Sequence, residues 1–60
     1  MKMEIFVVLG SFATETETIL VTIDRELAMS INYKNYPVYN KIDIEIWKDN
    51  QKVKEILVKI

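Results

Sequence analysis

Apolar and polar residues alternate with a period of two along residues 41–47 (KIDIEIW), where Ile42, Ile44 and Ile46 point one way and Asp43, Glu45 and Trp47 the other. That pattern predicts a strand with one buried face. Residues 17–23 (ETILVTI) repeat it less strictly, with Ile19, Val21 and Ile23 on one side and Thr18, Leu20 and Thr22 on the other. Residues 2–9 (KMEIFVVL) are rich in β-branched and aromatic side chains and stop at Gly10, as a strand does where it meets a turn. Asp49 and Asn50 both tolerate the left-handed conformation of a tight turn, so residues 52–60 (KVKEILVKI) read as a fourth strand. A two-residue turn there sets Ile46 opposite Val53, Glu45 opposite Lys54, Trp47 opposite Lys52 and Ile42 opposite Leu57. Ile44 facing Glu55 is the one mismatch. Val53, Ile56, Leu57 and Ile60 also fall at helical spacing, so a helix over residues 49–60 is the alternative.

The connecting segments differ in character. Residues 10–16 (GSFATET) have no apolar period and predict a hairpin connection longer than two residues. Asp24 offers a side-chain oxygen to the amides of a first helical turn, and residues 25–32 are mostly good helix formers, with Leu27, Ala28 and Ile31 as a short apolar stripe. Residues 32–40 (NYKNYPVYN) hold three Asn, three Tyr and the only proline, a loop composition. The predicted fold is a single α+β domain over residues 1–60 with the order ββαββ: a four-stranded, mainly antiparallel sheet and one short helix on one face. In this arrangement the helix covers Ile5, Val7, Leu9, Ile19, Val21, Ile23, Ile42, Ile44, Ile46, Val53 and Leu57. The other face presents Phe6, Val8, Leu20, Trp47, Ile56 and Val58 among Glu4, Thr18, Thr22, Asp43, Glu45, Lys52 and Lys54.

Composition narrows the chemistry. The 60 residues include no cysteine and no histidine, which removes disulfides, the usual zinc sites, Ser-His and Cys-His nucleophile pairs and imidazole acid-base catalysis. Eight basic against nine acidic side chains give a net charge of -1, which disfavours generic nucleic-acid binding and falls short of the acidity of a DNA mimic. The longest apolar run, residues 5–9, is too short to span a bilayer, so a soluble, cytoplasmic protein is expected. No cofactor, metal or catalytic residue is expected. Asp43 and Glu45, with Glu4 nearby, could be imagined as paired catalytic carboxylates, but lysines on the neighbouring strand account for them without chemistry.

A chain this small buries little of its surface, and with no disulfide or metal to staple it, association is the remaining common route to stability. The apolar second face therefore points to a homodimer or to another protein partner, unless the loop at residues 33–40 and Phe12 cover it. The candidate contact residues are Phe6, Leu20, Tyr33, Tyr36, Tyr39, Trp47, Lys52 and Lys54, since Trp and Tyr dominate protein-binding hot spots. Trp47, the tyrosines and the lysines could alternatively stack and neutralise a single-stranded nucleic acid. A purely self-assembling structural subunit is a third reading. Residues 14–17 (TETE) read as a solvated loop, with an acidic docking element or a weak cation site as the alternatives. Residues 48–60 carry +2 and residues 1–47 carry -3, so lysines guard the last strand against uncontrolled strand addition, or copies pair head to tail.

The first strand ending at Gly10, the second running into Asp24-x-Glu26-x-Ala28, the tyrosine-bearing loop and Ile42-x-Ile44-Glu45-x-Trp47 together resemble small accessory proteins of bacteriophages and prophages with a strand-strand-helix-strand core. The resemblance covers residues 4–47 and leaves the fourth strand outside it. It implies a small inhibitor or adaptor that engages a host protein, and it assigns no catalytic or binding residue.

Overall fold

In a computed structural model that describes residues 3–59, strands β1 (Glu4–Phe12), β2 (Glu15–Thr22), β3 (Lys41–Lys48) and β4 (Gln51–Lys59) form one antiparallel sheet in the order β2-β1-β3-β4. A five-residue helix, α1 (Arg25–Met29), and a single 3-10 turn at Tyr33–Asn35 lie between β2 and β3. The molecule is an α+β fold with one layer of sheet and a thin cover on one side. The helix alternative for residues 49–60 is overturned, because β4 pairs with β3 along its length. The expected strand residues Lys2 and Ile60 lie outside the described residues.

The first hairpin is tighter than its composition suggests. Its strands run on through Phe12 and resume at Glu15, so Ala13 and Thr14 alone make the connection. Ala13 holds a φ of 54°, a left-handed value that suits glycine better. The second hairpin turns at Asp49 and Asn50 with φ values of 54° and 65°, the pair of positive angles that a two-residue type I′ turn requires. Asp24 caps α1 by accepting from the Leu27 amide at 3.2 Å, and the Ser30 hydroxyl donates to the Leu27 carbonyl at 2.9 Å. The helix stops at Met29, short of the expected residue 32, and only Ala28 is fully buried while Leu27 is exposed.

The central seam fixes which face is covered. β1 and β3 pair without interruption from Glu4↔Lys48 to Ser11↔Lys41. This register sets Phe6 opposite Ile46, Val8 opposite Ile44 and Gly10 opposite Ile42. Phe6, Val8, Ala28, Ile42, Ile44 and Ile46 are the buried core, with Ile19, Leu20, Ile31, Tyr36, Tyr39, Ile56 and Val58 packed around it. The expected faces are therefore inverted for β1 and much of β2 and β4, while β3 keeps the one anticipated. The reason is that β1 is apolar on both sides, so its own pattern cannot choose a register, and a one-residue slip exchanges its faces.

Both edge strands adjust to that choice through bulges. In β2, Val8 pairs with Leu20 but Leu9 pairs with Thr18, which leaves Ile19 as an extra residue packed with Leu20 against the core. In β4, Trp47 pairs with Lys52 as expected, but Ile46 then pairs with Lys54, so Val53 is extra. The bulge replaces the expected Ile44–Glu55 mismatch with Ile44 opposite Ile56. A second irregularity between Ile42 and Asp43 sets Val58 against the core as well.

Candidate functional site

The tyrosine loop packs on the same side as α1. The Tyr39 ring lies over Gly10, where an added Cβ would stand 2.6 Å from its Cγ, and it meets Phe12 and Tyr36 at centroid distances of 6.0 and 6.3 Å. Its hydroxyl donates to Glu17 at 3.2 Å. Burial first, then that hydrogen bond and the carboxylate's charge, raise the Tyr39 pKa above its ordinary value. Tyr36 and Tyr39 thus complete the cover of the core, and Tyr33 is exposed on the 3-10 turn. At the other end Arg25 sits 5.9 Å above the Phe6 ring and 3.8 Å from the Glu4 carboxylate.

With helix, loop and turn all on one side, the opposite face is open. On β1 and β2 it presents Ile5, Val7, Leu9, Val21 and the adjoining Ile23, with no charged side chain among them. Val21 and Ile23 are 58% and 62% exposed, large values for aliphatic side chains in or beside a sheet. The β3–β4 half of the face mixes Trp47 and Leu57 with Lys41, Asp43, Glu45, Lys52 and Glu55.

These charges form one chain of contacts. The Trp47 indole donates to Glu45 at 3.1 Å, and Lys52 lies 3.5 Å from Glu45 and 3.7 Å from Glu55. The negative charges of Glu55 and Glu45 raise the Lys52 pKa. Asp43, flanked by Leu9 on β1 and Leu57 on β4, is only 6% exposed although no helix covers it. Loss of water raises its pKa from 3.8 to about 6, with a hydrogen bond to Glu55 and the Glu55 charge acting in the same direction and Lys41 against it. Glu55, at the accepting end, is lowered by that bond and by Lys52. A shallow cavity of about 290 Å³ lies on the other side of the sheet, between β2 and the residues after α1, lined by Ile19, Leu27, Ile31, Asn32 and Tyr36 among others.

The structure separates the contact residues expected from sequence. Trp47 and Lys52 meet on the open face. Phe6 is a correction: at 1% exposure it is core and can touch no partner, because the register with β3 turns it inward. Leu20 is also turned toward the core by the Ile19 bulge, and Tyr36 and Tyr39 are spent on packing. Lys54 pairs with Ile46, on the covered side, so it stands apart from Lys52. Sequence reasoning missed Ile5, Val21 and Ile23 as exposed, and Val7 and Leu9 as half-buried neighbours on the same face. The signal available was the strict polarity of β3, which identifies the face that solvent must reach.

Glu4 lies beside Arg25 rather than with Asp43 and Glu45, which dissolves the imagined carboxylate group. Among the described residues no cluster of three or more metal-ligating side chains is present, and no helix is long and apolar enough to cross a membrane. No family model matches the chain, and no significant match is found among curated proteins or solved structures.

Proposed function

We propose that this protein is a non-enzymatic protein-binding module whose contact surface is the open face of its sheet. The observation that carries the reading is the uncharged apolar field of Ile5, Val7, Leu9, Val21 and Ile23, which lies outside the core and is bordered by the Trp47–Glu45–Lys52 contacts. Contiguous apolar surface rimmed by polar groups is the ordinary form of a protein contact. The resemblance to small phage accessory proteins implies the same role, an inhibitor or adaptor that engages a larger host protein. Nucleic-acid binding fits less well, because Lys52 is held between two carboxylates and Lys54 faces the other way.

Site-specific photocrosslinking tests the reading. A benzophenone amino acid at Val21 on the open face should yield discrete protein adducts in cells, whereas the same group at Tyr33 on the helix side should not. Adducts confined to Tyr33, or none at either position, would overturn it.

A further inference from the structure

We propose that the outer half of β4, residues 55–59, is fastened to the sheet by a proton shared between Asp43 and Glu55, and that loss of this proton loosens it from β3. The two carboxyl groups line a shallow cavity of about 270 Å³ together with Lys41 and Leu57. Asp43 is its buried member, set between Leu9 of β1 and Leu57 of β4, whereas the Glu55 side chain is 44% exposed. Two carboxyl groups can share a hydrogen bond only while one of them keeps its proton, so their contact requires a neutral Asp43 donating to a charged Glu55.

The surrounding charges favour the same state. Lys41 and Glu45 flank Asp43 on β3, Glu55 and Lys52 face it from β4, and β1 brings only the uncharged Val7, Leu9 and Ser11 alongside. With Asp43 neutral, the two lysines match the two glutamates. Ionised Asp43 adds a third negative charge, while Lys52 is already held 3.5 Å from Glu45 and 3.7 Å from Glu55. Lys41 opposes the upward shift without cancelling it, so the Asp43 pKa still stands at about 6.

The outer half of β4 is also where the sheet can yield. β4 is an edge strand that pairs with β3 alone, and irregularities between Ile42 and Asp43 and between Ile46 and Trp47 interrupt its ladder. None of residues 51–58 is fully buried. A segment with so few buried contacts opens before the whole fold does. Above about pH 6 the loosened strand offers the backbone edge of β3 at residues 42–45, which the shared proton otherwise keeps covered.

Amide hydrogen exchange of the intact protein, followed by NMR and corrected for the intrinsic rise of exchange with pH, is the test. From about pH 5 to about pH 7.5, protection over residues 55–59 should fall by about 10-fold, the change due when a carboxyl held at about 6 in the closed end returns toward 3.8 in the open one. Dilute urea should leave this exchange unchanged, because a local opening exposes little surface. Asp43→Asn should abolish the pH dependence. Glu55→Gln, whose amide can donate to an ionised Asp43, should reduce it, which keeps the test intact if the first variant fails to fold. Protection that is flat with pH would overturn the proposal. A fall that urea accelerates would overturn it too, since the proton would then act on the whole fold. A fall undiminished in Asp43→Asn or in Glu55→Gln would assign the titration to another group.

Discussion

Replacing Asp43 with asparagine should stabilise the protein at neutral pH, against the usual expectation for a side chain that is 6% exposed and hydrogen-bonded. The folded chain holds the Asp43 proton up to about pH 6, whereas an unfolded chain releases it near 3.8. Between those values the folded state binds more protons, so this group makes stability fall as pH rises from about 4 to about 6 and leaves it flat above. A shift of about two units at roughly 1.4 kcal/mol each amounts to about 3 kcal/mol of destabilisation at pH 7, as an upper figure. Glu55 works in the opposite direction, because its lowered pKa contributes stability that is lost on acidification. The asparagine amide can still donate to Glu55, so comparing the two proteins removes most of that contribution. Urea unfolding of wild type and Asp43→Asn at a single protein concentration, from about pH 3.5 to about pH 7, should show the variant gaining by up to about 3 kcal/mol across the range. A constant difference, or a wild type that gains on the variant as pH rises, would refute the account of Asp43 as a carboxyl starved of water.

Two further substitutions probe the local geometry. Gly10→Ala should lower stability by about 1 to 3 kcal/mol, because the new methyl meets the Tyr39 ring at 2.6 Å; thermal melts should show that Gly10→Ala adds much less damage in a Tyr39→Ala background. Ala13→Gly should raise stability by about 1 kcal/mol by relieving a β-carbon at φ 54°, and an unchanged or lower melting temperature would show that the turn carries no such strain.

Legibility in the sequence followed polarity. The alternation of Ile42, Ile44 and Ile46 with Asp43, Glu45 and Trp47 was sufficient to place β3 and its buried face, and Asp49-Asn50 marked the second turn. β1 was different, since Ile5, Phe6, Val7, Val8 and Leu9 would satisfy either orientation. The choice is made by pairing with β3, a contact that local pattern does not contain. Bulges are equally silent in composition: nothing in KVKEILVKI announces that Val53 is extra, although the Ile44–Glu55 mismatch of an unbroken ladder was the trace it left. The open face was anticipated, but with the wrong residues on it, and the tyrosines read as a contact surface because aromatic side chains suit a core cover and a partner surface equally well.

The strand order has a consequence for how the chain finds its shape. Within each hairpin, partners are close in sequence, as Phe12 is to Glu15 and Lys48 to Gln51, so each ladder can grow outward from its own turn. The β1–β3 seam instead joins residues as distant as Glu4 and Lys48, and every core isoleucine of β3 meets its β1 neighbour only across it. Such non-local pairing is what slows folding, whereas lengthening the connection that must close costs only about 0.6 kcal/mol per doubling. The segment from Arg25 to Asn40 is therefore a tether as well as a lid: its length has a weak hold on stability, and it spans the gap in sequence that makes the β1–β3 pairing non-local.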